Sequence, residues 1–109
     1  MEYKFEMQEG RLKVCVPREL DHHLATQLKE EADLLIDAYH VKKLVFDFSN
    51  TEFMDSSGIA VVLRVKKRMD ETDGDVFLLN PAPQCARVFR TSGIDRFVAI
   101  KFTEEKAAR

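Results

Sequence analysis

Tryptophan is absent from this chain, and proline, glycine and cysteine are scarce, at three, four and two residues in 109. So little proline and glycine excludes a collagen-like, linker-rich or low-complexity chain. No internal repeat is visible. The two cysteines, Cys15 and Cys85, lie in different segments and form no CxxC pair. That rules out a disulfide framework and leaves a metal or dithiol site short of ligands; both read as small packed side chains in a reducing compartment, the cytoplasm. No apolar run approaches the ~20 residues that cross a bilayer, and the alternating, acid-bearing residues 1–6 do not read as a signal peptide. An excess of one charge is missing too. Lys and Arg number 17 against 19 Asp and Glu, a net charge of −2, so there is no basic footprint for nucleic acid. The one basic cluster, Arg64, Lys66, Lys67 and Arg68, reads as the solvated last turn of a helix, where cations complement the dipole.

What is present is a globular composition, 45% hydrophobic and 33% charged. A chain of this length forms one domain, residues 1–109, large enough to bury roughly two-thirds of its unfolded surface. Tyr3, Phe5 and Met7 alternate with polar residues, Glu9-Gly10 supplies a turn, and Leu12, Val14 and Val16 resume the alternation before Pro17. This predicts a β-hairpin with one apolar face. Leu24, Leu28, Ala32, Leu35, Ile36 and Tyr39 recur at helical spacing, with Asp21 as the N-cap. Leu44–Phe48 predicts a buried strand, Ser57–Met69 a helix, Val76–Leu79 another strand, Pro83 to Ser92-Gly93 a third helix, and Phe97–Ile100 a last strand. Residues 103–109 are helix-permissive but short. Strands separated by helices require parallel, right-handed crossovers. The expected fold is therefore α/β: a mixed sheet of four to five strands with an N-terminal hairpin and helices mainly on one face.

The tetrapeptide Asp55-Ser56-Ser57-Gly58 stands where the Leu44–Phe48 segment gives way to the following helix. Unpaired N–H groups and the positive end of the dipole favour negative charge there, so a serine at this point serves as a cap, an anion contact or a phosphate carrier. Three enzymatic readings compete. GxSxG is absent, and nothing orients His22 or His23 as a base toward Ser56 or Ser57. Asp47 and Asp55 suggest a receiver-like phosphoacceptor, but the acidic pair and the late lysine that would hold Mg²⁺ are missing. With neither GxxxxGK[ST] nor GxGxxG there is no nucleotide cradle, and no cofactor is expected. Adjacent histidines diverge by about 100° on a helix and make a poor metal pair. Periodicity puts Ile59, Val62, Leu63 and Met69 on the sheet side of the central helix. Val61 and Val65 point away with Ser57, Ala60, Arg64 and Arg68, a mixed face suited to docking.

At these residues the chain resembles the anti-sigma-factor antagonists, bacterial members of the STAS domain family. The resemblance runs through Glu19-Leu20-Asp21-His22-His23, Phe53-Met54-Asp55-Ser56-Ser57-Gly58 and Val88-Phe89-Arg90-Thr91-Ser92-Gly93-Ile94, and it points to the sporulation-type branch. It implies a non-enzymatic regulator that binds an anti-sigma factor, itself a serine kinase carrying the ATP and Mg²⁺, and so frees a sigma factor. The kinase then phosphorylates the first serine, here Ser56, and a phosphatase reverses the change. Joining the motif residues to the mixed face of the central helix, the expected partner contacts are Asp21, Asp55, Ser56, Ser57, Gly58, Val61 and Arg64, with no nucleic acid or membrane partner. The chain departs from the family pattern at Arg18, where glycine is usual, at Asp73-Gly74 in place of Gly-Gly, and in its curtailed C-terminal helix.

Overall fold

The computed structural model describes residues 4–103; the short tail read as helix-permissive falls mostly outside the described residues. Strand β1 (Lys4–Gln8) and β2 (Arg11–Cys15) form the antiparallel hairpin. Its turn uses Glu9 at φ 49° and Gly10 at φ 81°, the left-handed pair of a tight two-residue loop. Phe5 lies opposite Val14 and Met7 opposite Leu12, so the alternating apolar residues share one side of the sheet.

Beyond the hairpin come β3 (Glu19–Leu20), α1 (His22–Ala38), β4 (Lys43–Asp47), β5 (Phe53–Met54), α2 (Ser56–Asp70), β6 (Asp75–Leu79) and α3 (Pro83–Ser92). A 3-10 turn (Ile94–Arg96) and β7 (Ala99–Lys101) follow. The main sheet runs β1-β2-β4-β6-β7, parallel at every pairing except the hairpin. Leu12, Val14, Leu44, Phe46, Val76 and Leu78 are buried on the side that meets α1, α2 and α3. The opposite side carries Lys13, Asp47, Lys43, Phe77 and Lys101. There the Lys43 and Lys101 ammonium groups stand 5.5 and 3.9 Å from the Phe77 ring centre.

The mixed sheet, the hairpin and the three helices agree with the sequence reading; three details differ. The last strand starts at Ala99, because Gly93, at φ 82°, turns the chain into the 3-10 turn and leaves Phe97 outside the sheet. β3 and β5, too short to show a period, form a separate parallel ribbon. Finally, the faces of α2 are distributed differently. Val61 and Val65 are 4% and 0% exposed, whereas Leu63 is 45% exposed. The reason is that α1 lies alongside α2 on the same side of the sheet. The central helix thus buries one flank on strands and another on its neighbour, and a two-sided division of its wheel cannot describe it.

Candidate functional site

The β3–β5 ribbon builds the site. Leu20 pairs with Met54, and the next residue on each chain segment, Asp21 and Asp55, caps the helix that follows. Asp21 Oδ1 accepts from the Leu24 N–H at 2.9 Å, and Asp55 Oδ1 accepts from the Ser57 N–H at 2.8 Å. Each cap is worth about 1 kcal/mol against alanine. Because both helices leave adjacent parallel strands of the ribbon, they run the same way and present their N-termini side by side. The loops entering the ribbon are tied as well. Thr51, buried, donates to the Pro17 carbonyl at 2.9 Å, and the Glu52 N–H donates to the Arg18 carbonyl at 2.7 Å. Arg18, the residue that departs from the family glycine, is ion-paired to Glu52 at 2.9 Å.

With Asp55 as the cap, neither serine has that duty. Ser56 is the first residue of α2; it is exposed, and its hydroxyl bonds to no described residue. The Ser57 hydroxyl is 3.3 Å from His22 Nδ1 at the start of α1. His22 and Ser57, with Thr26, Lys29 and Ala60, line a shallow groove of about 210 Å³ between the two helices. The sequence reading missed His22 as a neighbour of the serines. The matching halves Leu20-Asp21-His22 and Met54-Asp55-Ser56 carried that signal.

Of the expected contact residues, Asp21, Asp55, Ser56 and Ser57 gather at this one end. Two others sit beneath it, which corrects their assignment as surface contacts. Gly58 is buried, and a Cβ there would stand 2.5 Å from Met54 Cγ and Sδ, so its lack of a side chain lets α2 seat on the ribbon. Val61 is buried between α1 and α2. Arg64 lies further along, bonded to Asp33 of α1 at 3.3 Å, and Arg68 joins the same carboxylate at 3.1 Å and also pairs with Asp37. The basic cluster read as a solvated helix end is in good part a clasp between α1 and α2.

The two carboxylates of the receiver-like alternative have structural duties. Asp55 caps α2. Asp47 accepts from the Ser49 N–H at 2.9 Å and from the Ser49 hydroxyl, and it faces Lys13 at 3.5 Å. Burial raises its pKa, but the Ser49 hydrogen bonds and the Lys13 charge outweigh this and hold the carboxyl below its ordinary value. Among the described residues no three His, Cys, Asp or Glu side chains gather into a metal-holding group. A group whose folded pKa is depressed adds stability above its unfolded pKa, and that contribution is lost as pH falls through the folded one. Asp47→Ala is therefore expected to cost about 2 kcal/mol at neutral pH. Below about pH 4 the gap between variant and parent should close, as read by urea titration across the acid limb.

The architecture is thus a small hairpin-led α/β domain with an exposed serine hydroxyl, bonded to no described residue, at the start of its central helix. A family model described as STAS domain matches residues 3–107, and the chain belongs to that family. It is 34% identical over 89 residues to an anti-sigma F factor antagonist from Lysinibacillus sphaericus, covering 82% of this chain and 75% of that protein. A second such antagonist, from Paenibacillus polymyxa, is 28% identical over 107 residues, 98% of this chain and 92% of the relative. Among solved structures, the anti-sigma factor antagonist SpoIIAA in its unphosphorylated form superposes with a TM-score of 0.85 at 31% identity, covering 97% of this chain and 92% of that one. The phosphorylated form of the Bacillus protein gives 0.76 at 31% identity, with 97% and 96% covered.

Proposed function

We propose that this chain, a single STAS domain over residues 1–109, is an anti-sigma factor antagonist. It binds an anti-sigma factor of the serine-kinase kind, frees a sigma factor, and is switched off when that kinase phosphorylates Ser56. A serine phosphatase restores it. One observation carries the reading: the Ser56 hydroxyl is exposed and uncommitted at the first position of α2, while Asp55 beside it holds the cap. The names of the relatives support the antagonist role, and the existence of a phosphorylated form of SpoIIAA supports the switch. The contact surface is the paired helix start, Asp21, Asp55, Ser56 and Ser57, with Ala60 on the same side.

The physics of the switch follows from the geometry. A phosphate adds about −1.5 to −2 charges and three acceptor oxygens. At the N-terminus of α2 the dipole offsets part of that charge, by ~0.3–1 kcal/mol for an exposed anion. Docked against a partner, the same dianion must be desolvated beside the Asp55 carboxylate, and the complex loses unless the partner supplies cations. The family is regulatory, and we assign no catalytic residue and no cofactor to this chain. Among the described residues no helix is long and apolar enough to cross a membrane, and we place the protein in the cytoplasm with the ATP its partner uses.

Incubation with ATP, Mg²⁺ and the anti-sigma kinase of the source organism, followed by phosphosite mapping, tests the reading. The expected product is a single phosphoserine at Ser56, and Ser56→Ala should remain unmodified and stay bound when ATP is added. Modification at Ser57 instead, or a hydroxylamine-sensitive acyl phosphate on Asp47, would sink it.

A further inference from the structure

Two turns along α2 from Ser56, its exposed face carries a second feature. Ser56, Ala60, Leu63 and Lys67 succeed one another at three- and four-residue steps, all exposed, so they form one stripe down the helix. Across from Leu63 stands Phe97, where the chain leaves the 3-10 turn; it is 67% exposed. Leu63 and Phe97, with Lys66, Lys67, Asp70 and Arg96, line an open groove of about 480 Å³.

The charges around this groove are unequal in standing. Lys66 and Asp70 neutralise each other at 2.5 Å. Lys67 and Arg96 have no carboxylate partner among the described residues. The result is an apolar floor of leucine and phenylalanine under two unmatched cations. Single exposed apolar side chains are ordinary, but two large ones facing each other across a groove with a charged rim have the make-up of a docking surface. The chemistry that completes it is a large apolar side chain flanked by carboxylates.

We infer that this groove is a second docking point for the anti-sigma partner, taking an apolar anchor flanked by acidic residues on that protein. The inference rests on the reading of Ser56 given above, because the stripe continuous with the switch serine assigns both features to one partner. The two points divide the work. Ser56 governs whether docking is allowed, and the groove adds affinity and orientation that phosphorylation does not touch directly.

The test is a titration of the full isotope-labelled chain with the source organism's anti-sigma kinase, read by cross-saturation NMR. Saturation is expected to reach the amides of Leu63, Arg96 and Phe97 as well as Ser56, and to leave Met7, an exposed apolar residue of the hairpin, untouched. Leu63→Ser and Phe97→Ser should each weaken binding about tenfold. Lys67→Glu combined with Arg96→Glu should slow association and flatten its salt dependence. All four positions are exposed, so thermal midpoints should stay with the parent, and the cross-saturation readout requires no substitution at all. Saturation confined to the Ser56 end, with groove variants binding like the parent while Ser56→Asp still fails, overturns the groove and leaves the switch standing. Unaltered affinity in the groove variants and in Ser56→Asp alike overturns both. A third outcome is that Leu63→Ser converts a dimer of the chain to monomer in sedimentation without changing partner affinity. The groove is then a contact between copies, and the inference is wrong.

Discussion

Ser56→Asp is expected to weaken binding to the anti-sigma partner by about 100-fold, close to 2.7 kcal/mol, while moving the thermal midpoint by no more than about 3 °C. The asymmetry arises from the division between two neighbouring residues. Asp55 supplies the cap, through its hydrogen bond to the Ser57 N–H, so replacing Ser56 removes no internal contact. A carboxylate at the first position of a helix is mildly favoured by the dipole. In the free protein the new charge is hydrated; in the complex it is not, and burying an uncompensated charge at an interface costs 2–5 kcal/mol or more. Calorimetric titration of parent and variant, paired with thermal melts, reads both halves. A variant that binds normally, or one that has lost its fold, contradicts the account.

Gly58→Val is expected to have the largest effect on stability, about 3 kcal/mol, lowering the thermal midpoint by roughly 13 °C. A Cβ at this position meets Met54 Cγ and Sδ at 2.5 Å and Leu20 Cδ2 at 3.2 Å. Both neighbours are buried in the core cluster, so neither has open space to move into, and valine adds two further methyls. Helix propensity returns only a few tenths of a kcal/mol. Gly58→Ala should fall well short of the valine variant, since it adds only the Cβ that meets Met54 and Leu20, without the two further methyls, and recovers nearly 1 kcal/mol of propensity. Because Leu20 and Met54 are the ribbon residues next to Asp21 and Asp55, the loss should spread to the site. Amide exchange at Leu24 and Ser57, the two capped N–H groups, is expected to quicken in Gly58→Val. Protection equal to the parent at both would show that α2 does not seat through this glycine.

Most of the fold was legible because its signals are local. The Glu9-Gly10 turn, the Asp21 cap, the proline at the head of α3 and the glycine that ends it each declare themselves within a few residues. The exposed hydroxyl at Ser56 was legible for the same reason, since a strand-to-helix junction presents its first turn to solvent. What could not be read depends on neighbours distant in sequence. Val61 and Val65 face α1, so their burial follows from where another helix lies, not from the period of their own. The β3–β5 ribbon holds two residues a side and leaves no alternation to detect, yet it aligns both helix starts. Hence the pairing of His22 with Ser57, which spans two separate elements, stayed hidden. The sequence reading considered only a serine as the cap of α2, whereas Asp55, in extended backbone one residue earlier, takes that place.

The charged clasp joining Asp33 and Asp37 to Arg64 and Arg68 has a mechanical consequence. It pins the helix pair some two turns away from the Ser56 end, where the side-chain link among the described residues is an imidazole resting on a hydroxyl. The pair is thus built like tweezers, riveted at the back and loosely touching at the tips. Bulk added at the tips, as the proposed modification would add it, is expected to find its soft direction there, while the rivet and the sheet behind it stay still. On the proposed reading, a messenger group would be written onto such an object and erased again many times without the object having to refold.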